Sequence, residues 1–432
     1  MSQTHTRSTT TIGVVGLGYV GLPLAILATS KKFDVIGFDI DEVKVAQLEQ
    51  REANYLSPDE AEQFKKAKQL TITAHESDLK KASVYIVCVP TPVTKDYVPD
   101  LTPLEKASEI VGRNLSRGDL VIIESTVNPA ACEDIALPII EKASGLSRDD
   151  FFFAHCPERV NPGDPKWNVR TIPRVVGGLN AESLRRAHEL YSSLIDAPII
   201  DMGSIKEAEA VKMVENSFRD INIAFVNELA MAFDRADIDL INVIKGASSK
   251  PFGYMAHFPG AGVGGHCIPV DPYYLIRFGK KNGFEHQFLL MARRINNNMP
   301  QYTVKMLEDL LEKQGKKLNK VEVVLLGLSY KSDVPDMRES PALEIEHLLR
   351  RAGAKVRIFD PYILSRSDGK TIAEVLEGAN AAIIATAHSQ FRLLTPEQFE
   401  EAGITAVVDG RNCLDNIAFK TSNVAYHGIG RQ

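Results

Sequence analysis

The stretch TIGVVGLGYVG, residues 11–21, decides the fold of this 432-residue chain. A short apolar run typical of a buried strand leads directly into Gly16, Gly18 and Gly21, which have the spacing G-x-G-x-x-G. Gly16 permits a tight turn, Gly18 lets a pyrophosphate approach the backbone, and Gly21 lets the next helix pack closely on the strand. Phosphates then face the N-terminus of that helix. The stretch therefore predicts a strand, a turn and a helix that bind a dinucleotide.

An acidic residue follows at the end of the second predicted strand. Asp39 stands 18 residues after Gly21, where a carboxylate can accept hydrogen bonds from the adenosine ribose hydroxyls and repels a 2′-phosphate. NAD is therefore favoured over NADP as the cofactor. Lys44 opposes this interpretation slightly, because a cation at that position could hold a phosphate.

Strand and helix patterns alternate in two parts of the chain. Apolar runs such as DVIGFDI and DLVIIEST alternate with helical patterns up to about Asp201, and the alternation returns with KVEVVLLGLSY, KVRIFDPY and ITAVVDGRN after residue 319. Such alternation is typical of a mostly parallel sheet with helices on both faces. We predict an α/β protein with two Rossmann-like doubly wound domains, over residues 1–203 and 313–432. The second has only Gly327 at the equivalent turn, so we expect a different nucleotide-like ligand there.

A central helical segment, residues 204–312, is predicted to join the two domains. From Ile205 to about Ala236 the apolar residues have helical spacing, at Val211, Val214, Phe218, Ile221, Phe225 and Leu229. Such a helix is about 45 Å long, enough to connect two domains and offer a dimer surface. A long core helix explains the pattern equally well.

Three polar residues, Lys212, Asn216 and Arg219, share the face of this helix that is nearly opposite the apolar stripe. The ordinary explanation is a polar face in contact with solvent. However, Asn is a mediocre helix former at a mid-helix position, and an ammonium beside an amide is a suitable donor pair for a developing oxyanion. We therefore keep this face as a candidate part of the active site.

Composition and charge exclude several classes of protein. The chain is 44% hydrophobic and 25% charged, with a net charge of −6, and no basic run suggests nucleic acid or an acidic membrane as a partner. The polar start MSQTHTRSTT does not resemble a Sec signal peptide, and no apolar run approaches the roughly 20 residues that span a bilayer. The five cysteines are widely spaced without a C-x-x-C pair, which predicts neither disulfides nor a zinc site. We expect a cytoplasmic protein with reduced thiols and no metal.

One of these cysteines follows a glycine-rich loop, GAGVGGHC at residues 260–267. Glycine tolerates positive φ and leaves amides uncovered, so the loop can wrap a phosphate and bring the Cys267 thiol close to a substrate. The alternative is an inert, buried cysteine behind a flexible loop. Asp271 can activate water or move a proton, although it disfavours a thiolate unless a cation balances it. Lys212 is preferred to His266 as the partner of the thiol, because adjacent side chains generally point apart.

Seven motifs, spread over nearly the whole chain, resemble those of the UDP-glucose/GDP-mannose dehydrogenase family and occur in the same order. The motifs are GLGYVG, ESTV at 124–127, CPERVNPG at 156–163, KMVEN at 212–216, GVGGHCIPVDP, GLSYKSDVPDMRESP and DGRN at 409–412. The resemblance implies a four-electron oxidation of a nucleotide sugar, with two NAD reduced per turnover and a UDP-sugar bound by the C-terminal domain. It also implies a homodimer or larger homo-oligomer and a product used in polysaccharide biosynthesis.

Together, the residue patterns and the resemblance give three sets of candidate site residues. The catalytic set has Cys267 as nucleophile with Lys212, Asn216, Asp271 and Glu158. The cofactor set is Gly16, Gly18, Tyr19, Val20, Gly21, Asp39, Lys44, Thr91, Thr126 and Arg338. The substrate set is Glu158, Arg159, Val160, Lys212, Asn216, Arg219, Gly264, Tyr330, Lys331 and Arg411.

Fewer residues bear on the substrate itself. UDP-glucose enzymes of the family typically have N-P-E-F-L where this chain has CPERV at 156–160, and Ser-Cys where it has His266-Cys267. Both differences resemble the N-acetylhexosamine branch. The segment KPFG at 250–253 is more similar to UDP-GlcNAc 6-dehydrogenases than to UDP-ManNAc enzymes, which tend to have an arginine here. We expect UDP-GlcNAc, with UDP-ManNAc and then UDP-glucose as alternatives.

Two rival functions stay open at this point. A two-electron dehydrogenase acting on a hydroxy acid or a sugar phosphate would need no thiol and would form one NADH per substrate. A non-catalytic protein would bind NAD and turn over no nucleotide sugar.

Overall fold

The computed structural model describes residues 10–94, 98–160, 166–265 and 267–431. The chain forms two compact units, which we call unit 1 (Met1–Glu215 with Tyr273–Asn282) and unit 2 (Asn216–Pro272 with Gly283–Gln432). All three boundaries between the units fall inside or beside helices. The division of the sequence into three domains stays a prediction.

Unit 1 is built on an eight-stranded sheet with the order β3-β2-β1-β4-β5-β6-β7-β8, parallel except for the pair β6–β7. The first six positions have the order of dinucleotide-binding folds. The strands are β1 Thr11–Val15, β2 Asp34–Phe38, β3 Leu70–Thr73, β4 Val84–Val87, β5 Leu120–Ile123, β6 Phe152–His155, β7 Arg174–Gly178 and β8 Ile199–Asp201. The helices are α1 Gly21–Ser30, α2 Glu42–Glu49, α3 Pro58–Lys66, α4 Thr102–Asn114, α5 Leu137–Ser144 and α6 Ala181–Leu194.

The central strands of unit 1, such as β4 and β5, are buried on both faces. Neighbouring residues of β4 point to opposite sides, so that Ile86 joins a core with α1 and α6, whereas Tyr85 and Val87 join a second core with α4 and α5. Strands covered on both faces are continuously apolar rather than alternating, which explains the sequence of β4. The carboxyl edge of the sheet is left for ligands.

Unit 2 has a five-stranded sheet in which all neighbouring strands are parallel, with the order β10-β9-β11-β12-β13. This is the other common order of doubly wound folds. Two long helices, α7 and α10, contribute many of the side chains in the core of unit 2. The helices are α7 Ile205–Asp234, which begins in unit 1, α8 Leu240–Ala247, α9 Asp271–Lys281, most of which belongs to unit 1, α10 Gln287–Lys313, α11 Pro341–Arg351, α12 Ile372–Leu376, α13 Pro396–Glu401 and α14 Asn416–Phe419. The strands are β9 Glu322–Leu326, β10 Lys355–Phe359, β11 Ala381–Ile384, β12 Ala406–Asp409 and β13 Ala425–Gly428.

The fold class predicted from the sequence is confirmed, since two doubly wound sheets and the long helix α7 are present. The surprise lies in the faces of α7. Three members of its apolar stripe are exposed, Val214 by 57%, Phe218 by 46% and Phe225 by 53%, whereas Lys212 and Asn216 on the polar face are buried. At these positions the usual arrangement of an amphipathic helix is therefore reversed.

Among the described helices, none combines the length and the apolar character needed to cross a membrane.

Candidate active site

The glycine turn of unit 1 has the geometry that its spacing predicts. Gly16 has φ +97°, and a Cβ on Gly21 would lie 1.9 Å from the Gly16 carbonyl oxygen. A Cβ on Gly18 would meet no described atom within 4 Å, so the backbone there is open to a ligand. Val20 directly precedes α1, and the Tyr19 side chain is half exposed. An uncovered turn at a helix N-terminus suits a pyrophosphate.

Asp39 lies beside this turn and is buried. Its carboxylate accepts hydrogen bonds from the backbone amides of Leu17 at 2.9 Å and Asp41 at 3.1 Å, and it pairs with the Lys44 ammonium at 2.9 Å. The structure therefore brings Lys44 onto the acid. A carboxylate accepts about four hydrogen bonds, so one position remains for a ribose hydroxyl.

Asp360 is the counterpart of Asp39 in unit 2. Gly327 repeats the left-handed turn with φ +92°, but here Asp360 accepts from the amides of Leu328 and Ser329, from the Ser329 hydroxyl and from His388. Burial alone would raise the pKa of Asp360, yet these hydrogen bonds hold it well below the usual value. Because these protein groups occupy the carboxylate, this turn lacks the ribose acceptor that Asp39 provides.

Two predicted cofactor residues, Thr91 and Thr126, are brought together at the carboxyl edge of the first sheet. The Thr91 hydroxyl donates to the Thr126 carbonyl at 2.5 Å. The buried Tyr274 hydroxyl donates to the Thr91 carbonyl at 2.7 Å from α9, 183 residues further along the chain. Sequence reasoning missed Tyr274, since no local pattern links such distant segments.

The predicted residues of the CPERV segment are held by α7. Arg159 makes a two-pronged ion pair with Glu215 and donates to the Pro173 carbonyl at 3.0 Å. The Glu158 carboxylate accepts the amide of Val160. Arg159 is thus oriented by an acid, Glu215, that lies inside the KMVEN motif but was not identified as a site residue.

A buried charged cluster behind this segment was also missed. Glu124 and Arg174 are both fully buried, 3.4 Å apart, and the Tyr191 hydroxyl donates to Glu124 at 2.5 Å. Burial raises the pKa of Glu124, while Arg174 opposes the shift. The Glu158 amide donates to the Glu124 carbonyl at 3.4 Å. The cluster therefore supports the strand ends from which the CPERV segment leaves.

In unit 2 the Cys267 thiol is partly exposed at the end of the glycine loop. Gly262 and Gly265 have φ +132° and +91°, which L side chains rarely adopt. A Cβ on Gly264 would lie 2.8 Å from the Tyr330 side chain. The Gly265 amide donates to the Arg338 carbonyl at 3.1 Å. The glycines are therefore required by backbone conformation and by close packing on the loop after β9.

Asn216 and Asp271 meet beside the thiol loop. The Asn216 amide donates to the Asp271 carboxylate at 2.5 Å, and the Asp271 backbone amide donates to the Cys267 carbonyl at 2.8 Å. Both side chains are buried. One Nδ2 hydrogen of Asn216 is therefore used within the protein and the other can still face a substrate. Lys212 lies one turn earlier on α7 and is buried, whereas Arg219 is exposed.

The remaining predicted residues follow strand ends in unit 2. Tyr330 and Lys331, after β9, are partly buried. Arg411, after β12, donates to the Ala385 carbonyl at 2.8 Å and to the Gly262 carbonyl of the thiol loop at 3.3 Å. Burial lowers the pKa of Arg411. Arg338 is exposed and pairs with Asp336 at 2.6 Å.

His266, the weaker candidate for the base, and residues 161–163 of the CPERVNPG motif lie outside the described residues. Within the described part of the chain, no group of three His, Cys, Asp or Glu side chains is placed to hold a metal ion.

Comparison with known proteins gives consistent matches along the chain. Residues 10–195, 206–298 and 324–416 match the NAD binding domain, the central domain and the UDP binding domain of the UDP-glucose/GDP-mannose dehydrogenase family. The chain is 41% identical to the UDP-N-acetyl-D-glucosamine 6-dehydrogenase of Pseudomonas aeruginosa, over 91% of this chain and 94% of that one. It is 36% identical to the UDP-N-acetyl-D-mannosamine dehydrogenase of Pyrococcus horikoshii, over 97% and 99%. A solved structure of UDP-D-ManNAc dehydrogenase from Pyrococcus horikoshii superposes with a TM-score of 0.91 at 35% identity, covering 98% of this chain and 99% of that one.

Proposed function

Because the chain belongs to the UDP-glucose/GDP-mannose dehydrogenase family, we propose that it oxidises the C6 hydroxyl of a UDP-N-acetylhexosamine to the carboxylate, with two NAD reduced per sugar. The observation that supports a four-electron reaction is the partly exposed Cys267 thiol at the end of a loop tied to its surroundings. A two-electron dehydrogenase has no need of such a thiol.

The residues around the glycine turn fit NAD. Gly18 leaves room for the pyrophosphate, and Asp39 keeps an acceptor for the adenosine ribose. Bound NAD supplies the acceptor for the hydrides removed from C6. In the first stage Lys212 accepts the proton of the C6 hydroxyl, directly or through a water, and the sugar becomes an aldehyde.

The second stage uses the thiol. The Cys267 thiolate adds to the aldehyde carbon, a C–S bond forms, and the carbonyl electron pair moves to oxygen. Lys212 and the second Nδ2 hydrogen of Asn216 stabilise this oxyanion. Loss of the second hydride leaves a thioester on Cys267. Water oriented by Asp271 or Glu158 attacks it, the C–S bond breaks, and the thiolate leaves as the acid forms.

The substrate test is a side-by-side assay of NADH formation with UDP-GlcNAc, UDP-ManNAc, UDP-GalNAc and UDP-glucose. We expect the highest kcat/KM with UDP-GlcNAc, because of the segment at residues 250–253 and the 41% identical relative. Preference for UDP-ManNAc would support the alternative epimer. One NADH per substrate, or NAD binding without turnover of any nucleotide sugar, would instead support one of the two rival functions.

The mechanism has its own test. Cys267→Ser should block formation of the free acid, because an alcohol is a much weaker nucleophile than a thiolate. Release of two NADH and the acid at a near normal rate by this variant would contradict the thiol mechanism.

A homodimer is part of the same proposal. The exposed aromatic side chains Phe218 and Phe225 lie on α7, and further phenylalanines of unit 2 are more than half exposed, among them Phe252, Phe258 and Phe288. Large exposed apolar areas are typical of interaction surfaces. We expect Phe225→Glu to lower the mass measured by light scattering from dimer to monomer. We also propose a location in the cytoplasm and a product used in polysaccharide biosynthesis, both supported by the family resemblance.

A further inference from the structure

The first residue of the thiol loop is held by a side chain outside every set of site residues named above. The Gly260 amide donates to the Oδ1 atom of Asn227 at 2.9 Å. Asn227 lies on α7 and is fully buried. Since the loop runs from Gly260 to Cys267, this bond fixes the end of the loop opposite the thiol.

Asn227 is itself held by a chain of buried polar groups. Its Nδ2 atom donates to Asn296 Oδ1 at 2.9 Å, and Asn296 Nδ2 donates to Asp220 Oδ1 at 2.8 Å. Arg293 completes the chain with a 2.5 Å ion pair to Asp220. These side chains are all at most 4% exposed. They connect α7, α10 and the thiol loop within unit 2.

The chain of groups allows only one direction of donation. Arg293 can only donate, and the ionised Asp220 carboxylate can only accept. Asn296 must therefore turn its NH₂ group toward Asp220 and its carbonyl toward Asn227. Asn227 must in turn present its own carbonyl to Gly260. Burying such polar groups costs desolvation free energy, and the network that they form specifies one arrangement of the side chains.

We propose that Asn227 is a positioning residue that sets the thiol loop for the second stage of the reaction. The inference rests on the proposed role of Cys267 as the nucleophile. The first hydride transfer needs no thiol, whereas attack on the aldehyde requires the sulfur at a defined distance from the carbon. A shift of about 1 Å in such a group lowers the rate by about 10²-fold.

The test compares three variants in the full-length enzyme. Asn227→Ala removes the acceptor of the Gly260 amide. Asn227→Asp keeps that acceptor, but it replaces the Nδ2 donor to Asn296 by a carboxyl oxygen and places a carboxylate in a buried site. Asn222→Ala is the matched control, because Asn222 lies on the same helix and its amide donates to the Phe218 carbonyl of that helix at 2.6 Å. Each variant receives NAD and the fastest of the four UDP-sugars, expected to be UDP-GlcNAc, and a hydroxylamine reagent traps released aldehyde.

We expect Asn227→Ala to lower kcat by about 10- to 100-fold, with KM for the UDP-sugar within about threefold of the wild-type value, and to release trapped aldehyde. Asn227→Asp should recover most of kcat and trap little aldehyde even though its buried charge lowers Tm. Asn222→Ala should match the wild type. If Asn227→Ala does not fold, Asn296→Ala serves instead, with a smaller loss of kcat and the same trapped aldehyde.

Two results overturn the inference. Loss of kcat that follows the order of Tm, without trapped aldehyde, would make Asn227 a purely structural residue. If the Asn227 variants have the same kcat and the same amount of trapped aldehyde as Asn222→Ala, Asn227 has no role in positioning the loop. Cys267→Ser in the same assay separates these results from failure of the proposed function: if it still yields two NADH and the acid, the thiol mechanism itself is wrong.

Discussion

Glu209, on α7, is a fully buried carboxyl group that should make the stability of the enzyme depend on pH near neutrality. Its two oxygens accept the backbone amides of Ala130 at 2.6 Å and Cys132 at 2.8 Å. Ala130 has φ +74°, an unusual conformation that these bonds help to hold. Burial raises the pKa of Glu209 to about 7, against the opposing effect of the amide hydrogen bonds.

The sign and size of the effect follow from this pKa. The folded protein binds the Glu209 proton more tightly than the unfolded chain does, whose pKa is near the ordinary 4.5. Stability from the protonated group is therefore complete below pH 4.5 and is lost as the pH rises through 7. The difference between the two pKa values corresponds to about 3 kcal/mol, of which about 2.5 kcal/mol is lost between pH 5 and pH 8.

Glu209→Gln removes this titration. At pH 5 the variant should be less stable than the wild type by about 1–3 kcal/mol, because the glutamine NH₂ group faces one of the two amide donors. By pH 8 the wild type has lost its advantage, and the free energies of unfolding in urea should be equal or reversed. Glu207→Gln, an exposed change on the same helix, is the control. If the free energies of unfolding of Glu209→Gln and the wild type differ by the same amount at every pH from 5 to 8, the reasoning is refuted.

Three further predictions concern the acid beside the NAD turn, the thiol loop and the buried ion pair of unit 1. Asp39→Ala should raise KM for NAD by about 10- to 100-fold, because a charged acceptor is lost. The same change should lower KM for NADP, because the neighbouring lysine is released. An unchanged ratio of the two KM values would contradict this prediction. Gly264→Ala should lower kcat by about 10²-fold, because its Cβ would lie 2.8 Å from an aromatic side chain, whereas Gly246→Ala, whose Cβ would meet no described atom within 4 Å, should not. Arg174→Met should cost about 3–5 kcal/mol in unfolding experiments, because Glu124 stays buried without its cation, and the double variant with Glu124→Leu should recover most of that loss.

Much of the fold could be predicted because its signals are local. The apolar run before Gly16, the glycine spacing and the acid at Asp39 lie within 29 residues, and each acts on its own neighbourhood. The same holds for the strands of the second sheet and for the glycines before Cys267. In each case backbone conformation or strand periodicity restricts the residue type, so the pattern can be read without the rest of the chain.

The misses share one physical cause, which is contact between segments far apart in sequence. The ion pair of Glu124 with Arg174 joins residues 50 positions apart. Tyr274 reaches Thr91 across 183 residues. Asn227 had no motif to mark it, since its role depends on Gly260 and on a helix that comes later in the chain.

The sequence by itself determined that two doubly wound sheets form, where the dinucleotide turn lies and which cysteine follows a glycine loop, because these depend on periodicity and on backbone conformations that few residues allow. Only the tertiary structure decided which face of α7 is buried and what holds the thiol loop. Helical spacing indicates that two faces of a helix differ in polarity, but the burial of each face depends on what packs against it. In this chain Lys212 and Asn216 of the polar face are covered by protein, whereas Val214, Phe218 and Phe225 of the apolar stripe are exposed.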